Sequence, residues 1–272
     1  MESREILPIA GGTDVIPRMR DGKPAELLDT LGLGLDHVKN DGSSVEIGPS
    51  VTHESLSHDP IVKTSLPLLS SAAAAIGSLQ IRNRGTIGGN IVNASPSADS
   101  LPALLNYDAE VVLASKSGKR RMKLQEFVTG PYCTARKADE LLTSILCKTE
   151  ADLPGTRRST HFVKLGRRNA VNISRMSLAL SVTAGSDGRI RSARVSAGAV
   201  FPVARRMLEV ERLLDGESMT RELFERAGVL ATELLIAETG VRWSSPYKMP
   251  VLKSFLERAL GVAAKDCGVN AA

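Results

Sequence analysis

Residues 80–100 read QIRNRGTIGGNIVNASPSADS, and this segment carries the strongest pattern in the chain. Its centre, Gly85-Thr86-Ile87-Gly88-Gly89-Asn90, is a glycine-rich loop. Glycines allow the backbone to turn its N–H groups toward an anion, and the Asn90 amide can donate and accept hydrogen bonds. The loop therefore predicts a phosphate-binding segment, although a single loop of this kind is also typical of a structural turn.

A second glycine-rich loop lies well upstream of the first. Ala10-Gly11-Gly12-Thr13-Asp14 follows the apolar Ile6-Leu7-Pro8-Ile9 and precedes Val15. Its glycines permit the same turn of the backbone toward an anion, and Thr13 adds a hydroxyl donor. The two loops together fit a bound diphosphate that is gripped from both sides, which a single glycine triplet would not indicate.

The composition is that of a globular protein. The chain has 272 residues, of which 42% are hydrophobic and 24% charged, so one or two folded domains are expected and a disordered or fibrous chain is excluded. No apolar run approaches the roughly 18 residues that a membrane span needs, and the charged N-terminus is unlike a signal peptide. Because the three cysteines, Cys133, Cys147 and Cys267, are widely spaced, a reducing, cytoplasmic environment is expected.

A net charge of +5 invites comparison with nucleic-acid-binding proteins, and the basic run from Lys116 to Lys123 is its best support. Aromatic residues make up only 3% of the chain, too few for the stacking platforms of single-strand binders. The run also straddles Ser117-Gly118, which is typical of a turn between two strands. A solvated hairpin is therefore expected, and no nucleic-acid partner.

Motifs for hydrolysis, metal binding and nucleotide cleavage are missing from the sequence. It has no Gly-x-x-x-x-Gly-Lys-Ser/Thr loop, and Gly32-Leu33-Gly34 lacks the third glycine of a dinucleotide fingerprint. His53 and His58 are one residue too far apart for a zinc-binding helix. The cysteines lack the fourth thiolate of an iron–sulfur cluster. The sequence therefore predicts neither a metal site nor a catalytic side chain in this chain.

The alternation of strand-like and helical patterns predicts an α+β fold in two parts. The first part consists of short strands between turns, with a helix from Pro67 to Leu79 and a hairpin around Ser117-Gly118. The Pro154-Gly155 turn marks a break. Beyond it we expect three strands and then helices, at residues 160–165, 178–183, 193–200, 223–237 and 251–260. The predicted domains are residues 1–155, with lobes of about 1–50 and 51–155, and residues 156–272.

The segment quoted first, together with the upstream glycine loop, closely resembles the FAD-binding (medium) subunits of the xanthine dehydrogenase and carbon monoxide dehydrogenase family of molybdenum hydroxylases. The resemblance extends to Phe162-Val163-Lys164-Leu165-Gly166-Arg167-Arg168 and to Gly198-Ala199-Val200-Phe201-Pro202. It implies the two-lobed FAD-binding fold of p-cresol methylhydroxylase and vanillyl-alcohol oxidase, followed by a small α/β domain with a three-stranded sheet and helices. Members usually carry a longer N-terminal arm, so an edge strand and its covering helix are expected to be missing.

The resemblance also implies which residues hold the cofactor. Asp99 matches an acid that meets the adenosine ribose, and Lys164 matches a lysine near the carbonyl edge of the flavin. Leu142 matches a residue beside the flavin, and Ile76 lies where some relatives place an aromatic ring over it. The FAD pyrophosphate is expected between the two loops, on Ala10, Gly11, Gly12, Thr13, Asp14, Val15, Thr86, Gly88, Gly89 and Asn90.

Several of these residues also have a purely structural interpretation. Asp99 follows Ser95-Pro96-Ser97 and could be the N-cap of a helix that starts near Leu101. Leu142 could be an ordinary core leucine, and Lys164 one more solvated lysine on a basic strand. The sequence alone leaves these alternatives open.

By resemblance, the chain is an FAD-binding electron-transfer subunit that is active only within a complex. The implied partners are a molybdopterin-binding large subunit, a [2Fe-2S] small subunit, and an electron acceptor such as NAD or a quinone. The alternative is a flavin-free homologue that serves as an assembly module of such a complex. Because neither glycine loop contains a histidine, tyrosine or cysteine, FAD is expected to bind without a covalent link.

Overall fold

The computed structural model describes residues 6–19, 26–149, 154–168 and 173–270. Two hydrophobic clusters form its interior. The first consists of residues between Val45 and Cys147, joined by Ala179 and Ala204. The second runs from Met176 to Cys267. The mixed architecture of helices and sheets predicted from the sequence is confirmed.

The chain begins with a small unit that has no buried residue among its described positions. Here strands β1 (Ile6–Ile9) and β2 (Glu26–Asp29) pair in parallel, helix α1 (Val15–Met19) lies between them in sequence, and a 3₁₀ turn (Leu31–Leu33) follows. We call residues 6–19 and 26–34 the outer lobe. The first glycine loop connects β1 to α1, so it lies in this exposed unit.

Residues 38–149, which we call the core lobe, form a five-stranded antiparallel sheet covered by short helices. The strand order is β3-β4-β9-β5-β6. Although β3 and β4 fall within residues 1–50 of the predicted first lobe, they pair into this sheet. The elements are β3 (Val38–Asn40), β4 (Ser44–Ile47), α2 (His53–His58), α3 (Pro60–Ser65), α4 (Pro67–Ala74), α5 (Leu79–Arg84), α6 (Ile87–Asn93), α7 (Ser100–Asn106), β5 (Glu110–Ser115), β6 (Gly118–Lys123), α8 (Leu124–Phe127), β7 (Val128–Gly130), β8 (Cys133–Thr134) and β9 (Leu141–Lys148).

Hydroxyl side chains that cap helix N-termini explain why the core lobe has several short helices. Thr52 caps α2, Ser78 caps α5 and Thr86 caps α6, each by accepting a hydrogen bond from a backbone N–H three residues later. The prediction of a single helix from Pro67 to Leu79 is wrong. The helix α4 ends at Ala74, because Gly77 has a φ of +47° and Ser78 starts a new helix.

The remainder of the chain forms a second sheet, packed on one side by long helices. The predicted three strands are present, and a two-residue strand extends the sheet in the order β10-β11-β12-β13. All positions of the central strand β11 are buried, because α7 of the core lobe packs on it as well as α11. The elements are β10 (Thr156–Leu165), β11 (Met176–Gly185), β12 (Ile190–Gly198), β13 (Arg205–Arg206), α9 (Leu208–Leu214), α10 (Arg221–Thr239) and α11 (Ser245–Asp266).

Buried polar groups join this second sheet to the core lobe. The Asn106 Nδ2 atom donates to the Ala179 carbonyl at 3.1 Å and to Ser196 Oγ at 2.7 Å. The Arg206 guanidinium lies 2.6 Å from both Asp108 and Glu211. No helix within the described ranges is long and apolar enough to cross a membrane.

Candidate functional site

A cleft of about 560 Å³ opens between the outer lobe and the core lobe, within the size range of small-molecule sites. All of the residues predicted to hold the cofactor, except Asp99 and Lys164, line it. The structure therefore brings together Ala10, Gly11, Gly12, Thr13, Asp14, Val15, Ile76, Thr86, Gly88, Gly89, Asn90 and Leu142.

The first glycine loop is pressed against the core lobe. A Cβ atom on Gly11 would lie 1.7 Å from the Arg84 carbonyl oxygen, so no other residue fits there. Gly12 has a φ of +72°, a conformation that favours glycine. The backbone N–H groups from Gly11 to Asp14 have no acceptor among the described residues. Consecutive unpaired N–H groups of this kind form a nest for an anion.

The second glycine loop is built differently, because its N–H groups are used inside the protein. The Gly88 N–H donates to the Pro49 carbonyl at 2.9 Å, and the Gly89 N–H donates to Thr86 Oγ1 at 3.1 Å. A Cβ atom on Gly88 would lie 2.4 Å from Pro49 Cβ, whereas one on Gly89 would meet only Thr86 Oγ1, at 3.1 Å. The expectation that both loops offer open N–H groups therefore holds for the first loop and not for the second.

Two polar side chains of the second loop remain available to a ligand. Because Thr86 Oγ1 accepts the bond from Gly89, its own hydrogen is free to donate. The Ser100 hydroxyl donates to Asn90 Oδ1 at 2.5 Å. This contact orients the amide and leaves Asn90 Nδ2 as a donor. The second loop thus offers a close backbone surface and two side-chain donors.

Ile76 and Leu142 give the cleft part of its apolar lining. Leu142 lies on β9 opposite Leu113 of β5 and is only 7% exposed. It is therefore a core leucine that also faces the cleft, so the two interpretations of this residue are compatible.

Asp99 and Lys164 lie outside the lining of the cleft and bind each other. Lys164 Nζ donates to Asp99 Oδ2 at 2.7 Å and to the Ala75 carbonyl at 2.8 Å, next to Ile76 in sequence. The Ser174 hydroxyl donates to the other Asp99 oxygen at 2.5 Å. Burial raises the pKa of Asp99, and the ammonium of Lys164 opposes that rise.

The contacts of this pair test the structural interpretations of Asp99 as a helix N-cap and of Lys164 as a solvated lysine. Asp99 stands at the N-cap position of α7 but makes no side-chain capping bond, so the capping interpretation is wrong. The Lys164 side chain is only 11% exposed, so it is not a solvated lysine. The predicted roles place Asp99 at the adenosine ribose and Lys164 at the flavin, whereas the structure joins the two residues in one ion pair. Their contacts with the cofactor remain predictions.

Two residues that the sequence did not predict as cofactor ligands, His53 and Tyr132, also line the cleft. His53 was considered only as a zinc ligand, yet it lines the cleft at 2% exposure. Tyr132 lies at the rim with a φ of +58°, and the Arg18 guanidinium stands 5.1 Å from its ring centroid. A usable signal for Tyr132 was the Gly130-Pro131 turn that precedes it. His53 had no such signal.

The chemistry of the lining suits an anionic, partly apolar ligand. An open N–H nest, a hydroxyl and an amide donor stand beside aliphatic side chains. Within the described part of the chain, no group of three histidine, cysteine, aspartate or glutamate residues is placed to hold a metal ion. The fold and the cleft together define a protein that binds a phosphate-bearing ligand with an apolar part.

Models of known protein families match almost the whole chain. The family described as "FAD binding domain in molybdopterin dehydrogenase" matches residues 1–147. The family described as "CO dehydrogenase flavoprotein C-terminal domain" matches residues 161–263.

Individual proteins agree with these matches. The nicotinate dehydrogenase FAD-subunit of Eubacterium barkeri is 31% identical over 80% of this chain and 74% of its own length. The glyceraldehyde dehydrogenase medium chain of Sulfolobus acidocaldarius is 31% identical over 93% of this chain and 88% of its own. Among solved structures, carbon monoxide dehydrogenase from Hydrogenophaga pseudoflava superposes with a TM-score of 0.87 at 29% identity, covering 97% of this chain and 91% of the other.

The chain therefore belongs to the family of FAD-binding subunits of the xanthine and carbon monoxide dehydrogenase type, and it is an oxidoreductase flavoprotein subunit with FAD as its cofactor. The residues present fit this group. Close packing of Gly11 on Arg84 and of Gly88 on Pro49 holds the two glycine segments beside one cleft, and the N–H groups from Gly11 to Asp14 have no acceptor among the described residues.

Proposed function

We propose that this subunit takes electrons from a [2Fe-2S] partner subunit and passes them through FAD to an external acceptor. The organic substrate would be oxidised on a separate molybdopterin-binding large subunit, and the complex would work in the cytoplasm. The observation that carries the proposal is the open N–H nest from Gly11 to Asp14, which faces the closely packed second glycine loop across one cleft.

Each part of the cleft has a task in this proposal. The nest would bind the pyrophosphate, and Thr86 and Asn90 would donate to its oxygens or to neighbouring hydroxyls. Ile76 and Leu142 would exclude water from the ring. FAD, when bound, supplies the electron-transfer chemistry, so the protein needs to contribute only binding, orientation and electrostatics.

The names of the relatives support the proposed partners. One similar protein is called the carbon monoxide dehydrogenase medium chain, and another is called subunit alpha of the 6-hydroxypseudooxynicotine dehydrogenase complex. Both names describe one chain of a larger assembly. By similarity, we propose a molybdopterin subunit and an iron–sulfur subunit as partners here, with NAD or a quinone as the acceptor.

Co-expression with its neighbouring genes tests the proposal. We expect the purified complex to show the two absorbance bands of a flavin and to reduce a dye when the substrate is present. The chain alone should bind FAD and lack substrate-dependent turnover. Dehydrogenase turnover by the isolated chain without molybdenum or iron would contradict the proposal. A complex that assembles without any flavin absorbance would instead support the flavin-free assembly module.

We also propose that the FAD is held without a covalent link. Neither glycine loop contains a histidine, tyrosine or cysteine, but the structure adds His53 and Tyr132 to the cleft lining. Acid precipitation of the holoprotein decides between the two modes. A yellow supernatant is expected, and a yellow pellet would indicate attachment to one of these two side chains.

A further inference from the structure

His53 is a buried polar side chain whose ring has no hydrogen-bond partner among the residues that the structure describes. It is the first residue of α2 and is 2% exposed. Neither nitrogen of its ring has a hydrogen-bond partner within the described part of the chain, and Nδ1 is fully buried. Buried polar atoms are normally paired, so an orphan of this kind requires an explanation.

The ring of His53 is held where the two glycine loops meet. Its backbone N–H donates to the Gly85 carbonyl at 3.0 Å. A Cβ atom on Gly85 would lie 3.2 Å from His53 Cδ2 and 3.5 Å from Thr13 Oγ1 of the first loop. His53 also lines the cleft. Because Nδ1 is fully buried and Nε2 is not among the fully buried unpaired atoms, Nε2 is the ring nitrogen that faces a ligand in the cleft.

The imidazole is neutral at physiological pH. Burial lowers the pKa of His53 to about 4, and the nearby positive charge of Arg82 adds to this effect. Arg82 is itself paired with Glu54 at 2.7 Å. A neutral imidazole has one N–H donor and one acceptor nitrogen, so it can bond to a phosphate oxygen or to a hydroxyl without bringing a charge into the cleft.

We propose that Nε2 of His53 makes a hydrogen bond to an oxygen of the bound FAD, so that the imidazole gains a hydrogen-bond partner only in the holoprotein. The inference deepens the proposed function and rests on it. It has a distinctive consequence, because removing the imidazole should affect the two states in opposite directions. The flavin-free protein loses an unsatisfied buried group, whereas the holoprotein loses a hydrogen bond to its cofactor.

The test uses the full-length chain freed of flavin and measures two quantities, the midpoint of thermal unfolding and the dissociation constant for FAD from flavin fluorescence. In His53→Phe, we expect an unfolding midpoint of the flavin-free protein equal to or above that of the wild type, and FAD binding weakened by about tenfold. His58→Phe is the matched control. It lies on the same helix with its side chain 68% exposed, and it should leave FAD binding unchanged.

Two further variants test which ring nitrogen of His53 makes the bond. They also provide a result if His53→Phe does not fold. Asparagine places a polar atom near the position of Nδ1, and glutamine places one near Nε2. We expect His53→Gln to bind FAD about tenfold more tightly than His53→Asn. Equal and weak binding by both would contradict the proposal, even if His53→Phe does not fold.

Binding of ADP by the same variants locates the contact. A parallel loss of ADP affinity would place the hydrogen bond on the ADP half of the cofactor, and a loss confined to FAD would place it on the ribityl or flavin half. Wild-type FAD binding matched by His53→Phe would overturn this inference alone. Failure of the wild-type chain to bind FAD would overturn the proposed function and this inference together.

Discussion

The two glycine loops face one cleft, but they belong to regions that differ strongly in burial and in hydrogen bonding. The second loop lies in the core lobe, where Ile87, Gly88 and Ile91 are buried and each loop N–H from Ile87 to Asn90 has a partner within the protein. The first loop lies in the outer lobe, which has no buried residue among its described positions. Its N–H groups from Gly11 to Asp14 have no acceptor within the described ranges. The N–H groups of the second loop are therefore used within the protein, whereas those of the first loop can donate to a ligand.

This difference predicts how the cofactor contributes to folding. A two-stranded sheet such as β1–β2 is marginally stable without further packing, and every position of β2 is exposed. A ligand that binds only the folded arrangement stabilises it by mass action. FAD is therefore expected to stabilise the outer lobe strongly and the core lobe weakly.

The largest effect is expected where the two loops touch. In Gly11→Val, the Cβ atom would stand 1.7 Å from the Arg84 carbonyl, and the loops would have to separate at a cost of about 3 kcal/mol or more. FAD affinity should fall by at least about a hundredfold, as measured by fluorescence titration. Because the exposed outer lobe can move away from Arg84 without unfolding the core lobe, the far-ultraviolet circular dichroism of the core lobe should persist.

Gly32→Ala is the matched control for this variant. It lies in the same outer lobe, and an added Cβ meets nothing within 4 Å. Its FAD affinity should equal that of the wild type. A Gly11→Val protein that binds FAD normally would show that the loops do not need to be in contact.

Hydrogen exchange compares the two loops directly. With free FAD at a hundred times its dissociation constant, the amides from Gly11 to Asp14 should exchange about 100-fold more slowly, corresponding to about 2.7 kcal/mol. Amides that already have protein acceptors, such as those of Gly88 and Asn90, should change much less. Equal protection of both loops would contradict the comparison.

Within the second loop, the adjacent residues Gly88 and Gly89 are expected to respond differently to an added methyl group. In Gly88→Ala, the Cβ atom would lie 2.4 Å from Pro49 Cβ, and about 2 kcal/mol of unfolding free energy should be lost, as measured by urea denaturation of the flavin-free protein. Gly89→Ala meets only Thr86 Oγ1, at 3.1 Å, and should retain its stability. If both variants lost equal stability, the packing at Pro49 would not be the cause.

The smallest effect is expected at the contact that joins the outer lobe to the rim of the cleft. The Arg18 guanidinium lies over the ring of Tyr132, which is 57% exposed. Such a contact contributes about 0.5–1 kcal/mol. Tyr132→Ala should therefore weaken FAD binding by only a few fold, and it keeps a non-glycine residue at the φ of +58°. A double-mutant cycle with Arg18→Ala measures the coupling, and a value of zero would show that the contact does not hold the lobes together.

Patterns that depend on neighbouring residues were predicted correctly. The first glycine loop, the Glu110–Lys123 hairpin and the helical tail follow from local turn preferences and from periodicity. The second glycine segment was predicted as a loop, but its residues from Ile87 to Asn90 form the start of α6. The helix from Pro67 to Leu79 was predicted wrongly for a local reason as well. Its run of alanines obscured the stop at Gly77 and the cap at Ser78.

By itself, the sequence determined the fold class, the FAD-binding family and the two glycine segments that line the cleft, because glycine conformations and short motifs are properties of short segments. Only the tertiary structure decided which loop keeps its N–H groups free, since the acceptor for Gly88 is Pro49 of another segment. It also decided that Asp99 binds Lys164 and that His53 lines the cleft without a hydrogen-bond partner for its ring in the described part of the chain. These contacts join residues distant in the chain, and the burial that determines their energies exists only once the chain has folded.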